Sequence, residues 1–127
     1  MTENELATIV VDIAYHIHRQ LGPGLLESVY HVVMVYELQK RGLRAESKKP
    51  IPVIWDEVQL ERGFEADVIV EGKLILELKS LEQVHPVHKK QLLTHLRLTN
   101  CRLGLLMNFG SPLIKDGITR IVNGLPD

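Results

Sequence analysis

The run from Phe64 to Ser80, FEADVIVEGKLILELKS, sets Asp67, Glu77 and Lys79 into two short apolar strands joined by a turn that contains Gly72. An ion buried in a sheet costs several kcal/mol unless it is paired or bound to a metal. Sheet stability therefore asks for no charges here. A cation held by oxygen ligands, with an ammonium beside it, accounts for all three. The bland alternative is a cross-strand ion pair on an exposed sheet, a contact worth less than about 1 kcal/mol.

Side chains alternate faces along a strand, so the pairing register decides which residues meet. A two-residue loop at Glu71-Gly72 would set Asp67 opposite Leu76 and mix charged with apolar side chains on both faces. With Gly72 in the left-handed region and a bulge, the pairing shifts by one. The Val and Leu side chains then share one face, and Asp67, Glu77 and Lys79 meet on the other.

Upstream, the chain turns through Gly22-Pro23-Gly24 and enters a helix that runs to about Arg41, with Gly42 as its stop. Val29, Val32, Val33, Val35 and Tyr36 make this helix apolar around most of its girth, which predicts burial on two sides. Glu27 in the first turn reads as a helix-start acid favoured by the helix dipole. It also shares a stripe with Tyr30, His31 and Met34, and such a stripe can face a site as well as solvent.

The remaining pattern alternates helix and strand. A capping box, Thr2 with Glu5, opens a first helix carrying Leu6, Ile9, Ile13, Ile17 and Leu21 on one stripe. Strands are predicted at 44–48, 51–55, 64–70 and 73–79, with Asp56-Glu57 as a turn. A helix follows from Pro86 to Thr99, then a buried strand from Arg102 to Asn108 and a short element around Ile118 to Val122. A chain of 127 residues fits one domain, 1–127, with no room for a separate DNA-binding module.

Composition narrows the function. The net charge of -1 predicts weak sequence-independent binding to a polyanion, although Arg41, Arg44, Lys48 and Lys49, and again Lys89, Lys90, Arg97 and Arg102, form local basic groups. Solvated surface explains either group taken singly. The lone Cys101 allows no internal disulfide and reads as a structural thiol opening a strand. Without a secretory or membrane-spanning run, the cytoplasm is the expected address. Six histidines include no structural-zinc motif. An all-oxygen site of Asp67, Glu77, the Leu78 carbonyl and waters suits Mg2+ or Mn2+.

Gly24-x-x-Glu27-x-x-Tyr30, Asp67 with Glu77-Leu78-Lys79, Pro86-Val87-His88 leading to Gln91, and Gly104 to Gly110 together resemble the GxxExxY family, a small branch of the PD-(D/E)XK nuclease superfamily, from about Ile9 to Gly124. The resemblance implies an α/β, restriction-endonuclease-like core, a mixed sheet of about four or five strands flanked by helices. It implies a Mg2+- or Mn2+-dependent deoxyribonuclease. Asp67 and Glu77 would be metal ligands, Lys79 the residue that stabilises charge or orients water, and Glu27 a further carboxylate near the metal. Gln91 resembles the glutamine of the RecB-type QxxxY motif, whose tyrosine position is occupied by His95. Gln91, Tyr30 and His95 would contact the substrate. The partner is nucleic acid, expected to be DNA, with no membrane association. A homodimer is an expectation to test, because one small, nearly neutral domain offers little surface for gripping a duplex. The rival function is a catalytically silent binding module that keeps Asp67, Glu77 and Lys79 as a buried ion network.

Overall fold

A computed structural model describes residues 1–126. Its elements are α1 (Glu3–Leu21), α2 (Glu27–Lys40), β1 (Ala45–Trp55), β2 (Val58–Val70), β3 (Leu74–Lys79), α3 (Pro86–Thr99), β4 (Leu103–Asn108), α4 (Ile114–Gly117) and β5 (Ile118–Val122). The strands form one sheet in the order β1-β2-β3-β4-β5. Only β3 and β4 run parallel, because α3 carries the chain across the sheet between them; the other neighbours are antiparallel. The result is the expected α/β architecture with a mixed sheet and helices on its faces.

The sheet separates two cores. Val68, Val70, Leu74, Leu76, Leu78, Leu103, Leu105 and Met107 pack against α1 and α2. On the other face, Ile69, Ile75 and Leu106 pack against Leu92 and Leu96 of α3. The predicted capping box starts α1: Glu5 N–H donates to Thr2 Oγ1 at 3.1 Å, and Thr2 N–H donates to Glu5 Oε1 at 2.9 Å. Between α1 and α2, the buried Glu37 carboxylate is surrounded by His16, Lys40 and Arg41 at 3.6 to 4.0 Å.

Two expectations need correction. The separate strands predicted at 44–48 and 51–55 are one strand, β1, that runs through Pro50 and Pro52. It lies at the sheet edge, where a missing N–H need not break a ladder. Its partner begins at Val58 rather than Phe64, so β1 and β2 form a long two-stranded arm with a register shift between Ile51 and Val53. The second correction concerns α2. Tyr30, His31, Met34, Glu37 and Leu38 are its buried side, while Val29, Val32 and Tyr36 are exposed.

Candidate active site

The turn between β2 and β3 sets the register. Glu71 and Gly72 both have positive φ, 52° and 66°, as a type I′ turn requires. Lys73 N–H donates to the Val70 carbonyl at 3.0 Å, yet Val70 stands opposite Leu74 in the ladder. Lys73 is thus the extra residue of a bulge. The pairs Val70/Leu74, Ile69/Ile75 and Val68/Leu76 follow. One step further along this register, Asp67 falls across from Glu77, where the ladder ends. Leu78 N–H donates there to Asp67 Oδ2 at 3.0 Å instead of to a strand carbonyl.

Asp67 and Glu77 therefore meet at the end of the β2–β3 pair, Glu77 buried and Asp67 half-buried. Burial pushes the Asp67 carboxyl up to about 6, and the negative charge of Glu77 adds to the effect, while the Leu78 N–H opposes it. The charge of His31 of α2 also pulls the other way. From α3, His95 Nδ1 lies 3.4 Å from Glu77 Oε1. Both atoms are buried, and neither has a hydrogen-bond partner among the described residues. The His95 ring is stacked on Phe64 of β2, with centroids 4.0 Å apart and planes at 11°.

Lys79 follows Glu77 on the same face of β3, half-buried. Among the described residues no carboxylate lies within 4.0 Å of its ammonium. Its charge acts on α3, where burial first, then Lys79 and His85, hold His88 below the usual histidine range. The three charged side chains share the region the sequence assigned them, but Lys79 does not neutralise the two carboxylates.

The chain leaving β3 is fixed by a residue that sequence reasoning gave no role. Asn108, 2 % exposed, accepts from Leu81 N–H at 2.8 Å and from Gly110 N–H at 3.2 Å through Oδ1. Its Nδ2 donates to the Leu81 carbonyl at 2.9 Å. The contact is close enough that a Cβ on Gly110 would stand 2.2 Å from that carbonyl oxygen. This clamp positions the floor of two neighbouring clefts. One, of about 520 Å³, is lined by Gly24, Leu25, Glu27, Ser80 and Leu81. The other, of about 770 Å³, is lined by Leu81, Glu82, Gln83, His85 and His88.

The other expected site residues divide. Glu27 is exposed on the rim of the first cleft, one helical turn before His31, and makes no hydrogen bond or ion pair to Asp67 or Glu77. Gln91 is exposed one turn before His95, and Leu92 takes the buried position beside it. Leu78 spends its N–H on Asp67 and buries its side chain under α1 and α2. Tyr30 is a correction. It is fully buried and stacked on Phe109 with centroids 4.6 Å apart. Its hydroxyl donates to the Gly22 carbonyl at 2.6 Å and accepts from Leu25 N–H at 3.2 Å. With donor and lone pair committed to the loop, Tyr30 shapes the entry to α2 and cannot contact a substrate. The signal missed for His31 was its place on the stripe shared with Tyr30 and Met34, since a histidine on a buried stripe needs a partner. It has one in Ser47 Oγ at 2.5 Å.

The two carboxylates fit a hard divalent cation. They lie side by side, Glu77 Oε1 has no donor, and oxygen ligands suit Mg2+ or Mn2+. Among the described residues no group of three or more His, Cys, Asp or Glu forms a ready cage, so carbonyl or water oxygens would complete the shell. Cys101 is buried, and no helix is long and apolar enough to cross a membrane among the described residues.

No curated protein and no solved structure matches the chain. A family model described as PD-(D/E)XK nuclease superfamily matches residues 4–121. That span takes in the sheet, the paired carboxylates, Lys79 and α3, and the chain belongs to the PD-(D/E)XK nuclease superfamily.

Proposed function

We propose that this protein is a Mg2+- or Mn2+-dependent deoxyribonuclease of the GxxExxY branch. The observation that carries the reading is the adjacent pair of carboxylates, Asp67 and Glu77, with no lysine or arginine within 4.0 Å among the described residues. Two carboxylates side by side, one with its proton affinity raised by burial and by its neighbour, favour a bound cation. A silent fold that kept these residues as an ion network would need a cation against both carboxylates; among the described residues no carboxylate lies within 4.0 Å of the Lys79 ammonium, and His95 reaches Glu77 alone.

In this reading Asp67 and Glu77 hold the metal, with the Leu78 carbonyl and Glu27 as further oxygen donors. When bound, the metal lowers the pKa of a water and neutralises charge on the phosphorane. The chain's own residues do the rest. Asp67 stays oriented because Leu78 N–H holds one of its oxygens. Phe64 fixes the plane of His95 against Glu77, and His95 at the tyrosine position limits how that carboxylate can turn. Lys79, with no carboxylate partner among the described residues, offers its ammonium to the phosphate or the attacking water. Gln91 and the cleft floored by Leu81 position the neighbouring nucleotides. The buried free thiol of Cys101 suits the reducing cytoplasm. Two copies are proposed to act together, since one domain of net charge -1 offers little surface to a duplex.

The test combines two measurements. Millimolar Mn2+ or Mg2+ is expected to raise the melting temperature by roughly 5–10 °C if the ion is near a hundredfold over its dissociation constant. A panel of single-stranded, duplex and branched DNA is expected to be cut only with metal present. Cutting that survives chelation, or no cutting and no thermal shift with either metal, overturns the assignment.

A further inference from the structure

Helix α2 has three longitudinal strips. Its buried side faces the sheet and α1. A narrow polar strip carries Ser28 and Gln39. The third strip is apolar and uncovered: Leu26 is 75 % exposed, Val32 66 % and Tyr36 61 %, with Val29 at 36 % beside them. At 100° per residue these four and the half-buried Val33 fall within an arc of roughly 120°. Leu26, Val29, Val33 and Tyr36 follow one another at steps of three, four and three, the spacing of a seam that packs against another helix. A helix apolar around its girth has thus been covered on one side only.

We infer that this strip is the interface of a homodimer in which α2 packs antiparallel against α2 of a second copy. Three observations favour that occupant. Charge on the strip is confined to Lys40 at its C-terminal end, so an antiparallel two-fold apposition of identical surfaces meets no close like-charge repulsion. The Lys40 ammonium lies over the Tyr36 ring at 6.0 Å. Parallel pairing would bring the two Lys40 side chains together; antiparallel pairing sets them roughly 20–25 Å apart, beyond a Debye length. Finally, two such strips would bury on the order of 1,000 Å² in total, the lower bound for a specific interface. The surface supplies the homodimer proposed above with its contact, and it stands independently of the catalytic reading.

Sedimentation equilibrium across the micromolar range is expected to show a monomer–dimer equilibrium in the wild type. Val32→Lys, at a side chain the fold does not bury, is expected to raise the dissociation constant at least about tenfold with an unchanged melting temperature of the monomer. Orientation is read by cysteines in a Cys101→Ser background under mild oxidation. Val32→Cys, close to the two-fold axis, is expected to cross-link with itself. Tyr36→Cys is expected not to, while an equimolar mixture of Val29→Cys and Tyr36→Cys gives the mixed disulfide. Self-linking by Tyr36→Cys without the mixed product overturns the antiparallel arrangement. A dimer untouched by Val32→Lys but dissolved by Trp55→Ser moves the interface to the apolar tip of the β1–β2 arm; the homodimer then stands and this surface falls. A wild type that is monomeric at every concentration removes both, and leaves the nuclease assignment to its own assay.

Discussion

Lys79 and Asp67 illustrate opposite ways of placing a charge. Among the described residues Lys79 has no carboxylate within 4.0 Å, so its ammonium is not consumed by structure. Lys79→Ala is expected to lower cleavage by at least about two orders of magnitude, the scale for removing one charge-stabilising group from a preorganised site. Metal binding by calorimetry should remain, and a variant that keeps full metal-dependent activity would reassign the mechanism. Asp67 is held with its carboxyl pushed up to about 6 by burial and by Glu77. Between about pH 4 and 6 the unfolded chain has released this proton while the folded protein retains it. Stability is therefore lost as the pH rises through that window, by up to a few kcal/mol. Denaturant titrations at pH 4.5 and pH 7 should show the loss in the metal-free wild type and a flatter profile in Asp67→Asn; parallel profiles would contradict the assignment. Asn108 acts through backbone. Asn108→Ala strands the N–H and C=O of Leu81 and is expected to cost about 2–3 kcal/mol in the same titration. A cost below about 0.5 kcal/mol would mean that the loop re-forms its bonds with water.

The β2–β3 hairpin shows that a turn, more than any one residue, encodes the site. Lys73 is exposed and its replacement by Ala is expected to change stability by no more than about 0.5 kcal/mol. Deleting it removes the bulge and leaves Glu71-Gly72 as a two-residue turn, so Val70 still faces Leu74 and Asp67 still falls across from Glu77. That deletion is expected to keep cooperative unfolding by circular dichroism, and a deletion mutant that no longer unfolds cooperatively would show that the register depends on the bulge itself. Period-two patterning made this register legible from sequence, because only one pairing separates the Val and Leu set from Asp67 and Glu77. The capping box of α1 and the limits of α3 were legible for the same reason: their signals lie within a few residues of each other. What escaped depends on distant partners. The fusion of two predicted strands into β1 rests on its place at the sheet edge, and the role of Tyr30 on where the loop at Gly22 to Leu25 folds back. Asn108 acts on a residue 27 positions away. In α2 the apolar girth was read correctly as a composition, but which side meets the sheet is decided by α1 and β1.

At the scale of the whole molecule, the carboxylates and the clamp belong to different ranges of the chain. Asp67 and Glu77 are ten positions apart on one hairpin, whereas Leu81 and Asn108 must wait for α3 to cross and for β4 to enter in parallel. Closing a longer loop costs more entropy, and non-local pairing is slow. The kinetic consequence is an order of events: a refolding chain brings its two acids together before it has a floor on which to lay a nucleic acid. Mn2+ present from the start of refolding should then find its ligands in the transition state and accelerate folding in stopped-flow experiments, as well as slowing unfolding. If Mn2+ alters the unfolding rate alone, the hairpin closes late, and the cation is captured only by the finished protein.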